Sequence, residues 1–173
     1  SLMKLWTIQQ LAAWESFQER GILRGDMRRV WDCHRNSYKW LMKTLGYSRT
    51  PMWAWHTRYG KRGRPDLRES GHFNPGTSGV RIDLDVPDEL VTLSRFDLWG
   101  WCVLNNWHLS CDEEDPDDLT QEMKRESWMN IFDLGYGVPG EMWDPNPKEV
   151  TIQATMPELR LDWVLGHTHF KAR

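Results

Sequence analysis

Apolar positions switch several times between a period near two and a period near 3.6 along the chain, and each switch marks an element. Met3-Lys4-Leu5-Trp6-Thr7-Ile8 predicts a short first strand. Leu11, Trp14 and Phe17 then recur at helical spacing, which predicts a helix to about Arg20, with Gly21 placed to take the left-handed position that ends it. Ile22-Leu23 is a brief apolar exit before a turn at Arg24-Gly25-Asp26. Met27, Val30, Trp31, His34, Tyr38, Leu41 and Leu45 form one helical stripe, so a second helix is expected from about Met27 to Leu45, closed by Gly46. Trp14, Trp31 and Leu41 should be buried on these stripes, and His34 should sit satisfied on the apolar face.

Downstream, Pro51 to His56 predicts a strand with Trp53 and Trp55 on one face. Gly79 to Val86 alternates strictly and predicts a half-buried strand, stopped by Pro87-Asp88. Val91 to Leu93 is a further short strand. Ser94 followed by Asp97 predicts a capped helix reaching about Trp107. Leu119 to Leu134 reads as helical, Glu149 to Met156 as a strand broken by Pro157, and Trp163 to Phe170 as the last strand. Residues 58–78 and 135–147 are long loops rich in Gly and Pro. The expected fold is α+β: a single domain over residues 3–173, with a mixed or antiparallel sheet of about five or six strands flanked by helices. Ser1-Leu2 ahead of Met3 reads as a cloning scar.

Composition alters this picture in one respect. The chain has 12 Trp against 4 Tyr and 5 Phe, so indoles must supply much of the core. Charge alters it in another. Lys and Arg total 22 and Asp and Glu total 25, which excludes a generally basic nucleic-acid protein but not a local basic patch. No apolar run reaches the roughly 18–20 residues of a membrane span, and no signal-peptide pattern opens the chain. Cys33, Cys102 and Cys111 are odd in number and lack CxxC spacing, so free thiols and a cytoplasmic location are expected.

Three constellations could carry chemistry. Between Arg58 and Arg81, six basic residues face two acids, and the segment follows the Trp53/Trp55 strand directly. Guanidiniums beside indoles can hold a phosphate and stack a base, and Gly71, Gly76 and Gly79 would let backbone N–H groups approach an anion. Trp53, Trp55, His56, Arg64, Arg68, His72 and Arg81 are therefore candidate ligand-binding residues. Secondly, His167 and His169 share a strand face, but no HExxH or CxxC completes a metal site. Residues 112–118 hold six acids in seven positions, without the spacing or the Gly of a calcium loop, and read as a solvated loop. Thirdly, Glu149 opens a strand after a long loop and is the candidate catalytic carboxylate. The chain has no GxSxG elbow or Walker loop, which argues against serine hydrolases and P-loop enzymes. The GxGxxG spacing at Gly135–Gly140 falls in a Gly- and Pro-rich loop after a helix, not between a strand and a helix, which argues against Rossmann dehydrogenases.

The opening MKLWTIQ, the Trp-Ala-Trp strand, Arg64-Pro-Asp-Leu-Arg68 and the run GVRIDLDVPDE at 79–89 together resemble a bacterial family known as domain of unknown function 3841. That resemblance covers Met3 to the C-terminus and implies no activity. A fainter similarity is to ADP-ribosyltransferase-like domains, which order a strand, a helix and a Gly-x-Leu exit as Leu5–Ile8, the first helix and Gly21-Ile22-Leu23 do here. It implies NAD as cofactor, sets Thr7 where those domains carry an NAD-binding His or Arg, and matches Glu149 to their late-strand Glu.

These readings leave three functions open. One is a nucleotide-handling, diverged ADP-ribosyltransferase-like enzyme, with Trp53 and Trp55 stacking a base, Arg64, Arg68 and Arg81 neutralising phosphates, and Glu149 holding the ribose. Another is a non-enzymatic module for RNA or single-stranded nucleic acid using the same patch. The third is partner binding through the acidic loop. The enzyme requires Glu149 and the basic patch to face one cleft.

Overall fold

A computed structural model describes residues 1–110 and 119–173. The acidic run 112–118 and Cys111 lie outside the described residues. The chain orders as β1 (Leu2–Gln10), α1 (Leu11–Arg20), β2 (Ile22–Leu23), α2 (Arg35–Leu45), β3 (Met52–Thr57), β4 (Ser78–Pro87) and β5 (Thr92–Arg95). There follow α3 (Phe96–Leu98), α4 (Gln121–Trp128), β6 (Ile152–Met156), β7 (Leu159–Arg160) and β8 (Val164–Lys171). The main sheet has six strands in the order β5-β6-β3-β1-β4-β8, and every pairing is antiparallel. The fold is α+β, with β2 and β7 as a separate small ribbon.

The sheet is two three-stranded ladders held together at a narrow seam. β1 pairs with β4 over its whole length, Leu2 to Gln10. β3 pairs with β6 from Met52 to Thr57. Between them, β1 and β3 share a single residue pair, Trp6 with Trp55. Side chains complete the seam where the ladder would otherwise continue. The Thr7 hydroxyl donates to the Trp53 carbonyl at 2.8 Å, and the Arg62 guanidinium donates to the carbonyls of His56 and Lys4 at 2.7 and 2.6 Å. Beyond Thr7 the two strands part.

One core contains the aliphatic residues Val80, Ile82, Leu84, Val86 and Leu5, with Trp14 and Phe17 of α1 packed on them. The alternation of β4 produces this directly: its odd residues Arg81, Asp83 and Asp85 take the other side of the pleat. The second core is built from α2, α3, α4 and their connections, around Leu41, Leu98, Trp99, Val103, Leu109, Trp128 and Ile131. Trp40, Trp53, Trp107 and Trp143 pack against it, so half of the chain's indoles gather here. The Trp128 and Trp143 N–H groups donate to the carbonyls of Trp107 and Leu109, and the Trp53 N–H donates to the Tyr38 hydroxyl. That satisfies the one polar atom each indole carries inward.

Several sequence expectations change. The helix expected from Met27 is α-helical only from Arg35, after separate 3-10 turns at Met27–Arg29 and Asp32–His34. Asp26 caps a three-residue 3-10 turn by accepting from the Arg28 N–H, and Val30 and Trp31 are extended. The break turns Trp31 outward, so it is 73% exposed rather than buried, while Trp14 and Leu41 are buried as expected. His34 leaves the core and stacks on Trp31, ring centroids 5.6 Å apart. Ser94 is not a helix cap; it lies in β5, buried, and its hydroxyl accepts from Gln153 at 3.3 Å. The helix expected to follow is three residues of α3 and a π-helical stretch, Trp99–Val103. The strand expected from Glu149 starts at Ile152. Neither Cys33 nor Cys102 is in a disulfide. No helix among the described residues is long and apolar enough to cross a membrane.

Candidate functional site

The parting of β1 and β3 opens a cleft of about 1540 Å³. Its floor is Thr7 to Gln10 on one side and Thr50 to Trp55 on the other. Its walls are α1, the segment from Ile22 to His34, and the end of the 58–78 loop around His72 and Phe73. The wall at Gly25 stands against Thr50 with no room for a side chain: a Cβ on Gly25 would overlap the Thr50 carbonyl oxygen and hydroxyl. Arg49 fixes the same contact by donating to the Gly25 carbonyl at 3.1 Å.

The charge lining this cleft is strongly asymmetric. Arg20, Arg24, Arg28, Arg29, Arg49 and Arg58 face it, and Asp26 is the one acid among the lining residues. Asp26 is occupied by Arg28, whose guanidinium bonds it through two nitrogens and holds its carboxyl below the usual range. Arg24 pairs with Glu158 at 3.6 Å. Arg20 and Arg29 are exposed, with no ion pair among the described residues. Arg58 lies 4.9 Å from the centre of the Trp55 ring and reaches Glu69 with one nitrogen at 3.2 Å; its other two nitrogens have no hydrogen-bond partner. Aromatic surface accompanies this charge: Trp53 and Trp55 from β3, Tyr38, and the exposed Trp31–His34 stack.

The structure brings together only part of the site read from the sequence. Trp53, Trp55 and His72 line the cleft. Trp53 is held edge-on by Tyr38 and tilted against Trp99, and Trp55 is held edge-on by Phe96. His72 bonds the Asp66 carbonyl oxygen at 2.8 Å through Nε2. Arg64, Arg68 and Arg81 do not line it. Arg64 and Arg81 share Asp83, at 3.2 and 3.8 Å, and Arg81 also donates to the Pro65 carbonyl. Arg68 grips Asp66 and lowers its carboxyl pKa to about 2. Arg62, Arg64 and Arg81 thus fasten the loop to the sheet, while Arg68 pairs within the loop and Arg58 faces the cleft. Phe73 completes the attachment by stacking on Phe170 over Gly79, where a Cβ would strike both rings. His56 does not line the cleft either. Burial, with the Arg62 charge nearby, pulls its pKa down to about 4, and Nδ1 sits 2.8 Å from the Thr57 hydroxyl.

Glu149 opens onto a neighbouring pocket of about 730 Å³, lined also by Tyr59, Phe96, Trp101 and Glu141. The pocket and the cleft have Tyr59, Phe96 and Thr151 in common. Sequence reasoning missed the arginines at 20–29 and 49 because nothing in the sequence shows that these two segments meet at one cleft. Their signal was present: Arg24, Arg28 and Arg29 lie within six residues beside one acid. Among the described residues no group of three or more His, Cys, Asp or Glu could hold a metal ion.

The description of the family Domain of unknown function (DUF3841) matches residues 4–142, four-fifths of the chain. The chain belongs to that family. The matched residues include β1, α1, the arginine-bearing wall and β3, so the family's shared segment contains both sides of the cleft. β6 and Glu149 fall outside it. No curated protein and no solved structure matches the chain, so neither comparison supports the expected similarity to ADP-ribosyltransferase-like domains.

Proposed function

We propose that the cleft between the two half-sheets binds a phosphate-bearing nucleotide. The observation that carries this reading is the lining itself: six arginines against one already-paired acid, in a chain of net charge −3, beside the indoles of Trp31, Trp53 and Trp55. Phosphate oxygens accept paired N–H groups from guanidinium, and a base stacks on an indole. Arg20 and Arg29 would meet the phosphates, because they have no ion pair to surrender. Trp31, Trp53 and Trp55 would meet the base. In its ADP-ribosyltransferase-like form the ligand is NAD or ADP-ribose. Glu149 would then act from the adjoining pocket across Tyr59 and Thr151, so a binding role stands on firmer ground than a transfer reaction.

A second reading is supported by Trp31. An exposed indole stacked on His34 and flanked by Arg28, Arg29 and Arg35 is the kind of platform single-stranded nucleic acid uses. The cleft volume exceeds the roughly 300–1,000 Å³ of ordinary small-molecule sites. Tryptophan fluorescence separates the two readings. NAD, ADP-ribose, ATP and a short single-stranded RNA are titrated at low salt and again at high salt. A response to the dinucleotides alone supports the first reading, and Glu149→Gln should then spare binding. A response to RNA alone, collapsing with salt, supports the second. No response from any of the four at millimolar concentration contradicts both.

A further inference from the structure

The pocket beside the cleft has the opposite character. Trp101, Tyr59, Phe96 and Met142 are all exposed large apolar side chains, and all four converge on it. Exposed rings gathered in a concavity signal recognition more than rings scattered singly. Glu141 and Glu149 stand among them, exposed, their carboxylates without a hydrogen-bond or ion-pair partner among the described residues. The walls are fixed in place. Arg95, fully buried, donates to the Tyr136 carbonyl at 2.6 Å, and Trp143 donates to the Leu109 carbonyl, which holds the 134–143 segment against the second core. Tyr59 and Gly60, at φ 48° and 75°, form the two-residue turn that Arg58 and Lys61 close with paired backbone hydrogen bonds, and the Gly60 N–H donates to the Val150 carbonyl at 2.8 Å.

Aromatic faces carry negative quadrupole charge, and carboxylates add formal charge. The occupant that matches both is a flat cation. The molecule already makes this contact once: Arg58 places its guanidinium 4.9 Å from the Trp55 ring centre and 5.6 Å from that of Tyr59, with Glu69 as its carboxylate. We infer that the Tyr59–Phe96–Trp101 pocket, with Glu141 and Glu149, receives an arginine side chain of a partner polypeptide. Guanidinium is planar and weakly hydrated and stacks on rings, whereas lysine's ammonium holds its water more strongly. The inference is independent of what fills the cleft. A partner seated here would nevertheless stand next to the cleft ligand, across the residues both share.

The test uses the full chain without nucleotide. A short Gly/Ser peptide with one central arginine is titrated and followed by tryptophan fluorescence and by NMR of the Trp101 indole. The same peptide with citrulline, the neutral isostere, is the comparison. The expected result is binding of the arginine peptide at least about tenfold tighter than the citrulline peptide. Trp101→Ala and Glu149→Gln should each weaken it about fivefold or more. Both side chains are exposed, so thermal melts should stay unchanged. Equal affinity for the two peptides, indifference to Trp101→Ala, or no Trp101 shift up to about 20 mM peptide overturns the assignment.

Discussion

Arg95 and Arg29 carry the same guanidinium in opposite surroundings. Arg95 is wholly buried, bonds both oxygens of Asp97 at 2.9 and 2.7 Å, and donates to the Tyr136 carbonyl. Removing it strands a partly buried carboxylate, so Arg95→Met should destabilise by about 3–5 kcal/mol in urea denaturation. Arg29 is exposed, makes no ion pair among the described residues and touches Asp26 only through its field. Arg29→Ala should leave stability within about 0.5 kcal/mol while weakening nucleotide binding about tenfold. Trp31→Ala should behave the same way. A large fall in its melting temperature would mean that the indole is packed rather than presented. His56 adds a pH dependence. Its imidazole titrates near 4 in the fold against an ordinary 6.5. Between those values the unfolded chain binds more protons, so stability is complete above pH 6.5 and declines as pH falls through the window to about 4. Melts from pH 7 to 4.5 should show this decline, and His56→Asn should flatten it. The exposed Asp66 carboxyl, lowered to about 2 by Arg68, acts only below its ordinary 3.8 and does not overlap the window.

At the scale of elements, the seam between β1 and β3 and the wall at Gly25 decide the shape of the cleft. Thr7→Val removes the hydroxyl that joins the strands and should cost about 1 kcal/mol. Gly25→Ala cannot be accommodated without moving Thr50, so it should destabilise by about 1–3 kcal/mol and lower ligand affinity as well. Affinity unchanged in a folded Gly25→Ala protein would remove that wall from the site. The elements were unevenly legible in the sequence. β4 was readable because strict alternation leaves little choice of face, and α1 because its stripe ends in a glycine at φ 77°. The 27–34 segment was not readable, because its spacing fits a helix while the backbone is extended at Val30 and Trp31 and splits the segment into two three-residue 3-10 turns. Periodicity registers where apolar residues stand and is blind to that break. β6 was overextended for a related reason: Glu149 and Val150 both direct their N–H groups to the Asn146 carbonyl, closing a turn in place of a ladder.

For the whole molecule, the sheet order separates two kinds of arginine that the sequence presents alike. A local surplus of positive charge marked residues 58–81, yet the fold ties Arg62 and Arg64 to backbone carbonyls and Asp83 and pairs Arg68 with Asp66 inside the loop, so that of this segment's arginines Arg58 alone lines the cleft. The open positive surface arises instead where α1, the 22–34 segment and the approach to β3 meet across the parted strands, a convergence set by topology. The aromatic half of the site was legible, since Trp53 and Trp55 must share a face of β3. Hydrogen exchange with and without saturating ADP-ribose tests the central claim most directly. A ligand seated between the half-sheets should slow exchange at residues 8–10, 22–29 and 50–53 and leave the β4–β8 ladder unchanged. Protection confined to the 58–81 loop or to residues 141–151, or no protection at saturation, would contradict a nucleotide site at the parting of β1 and β3.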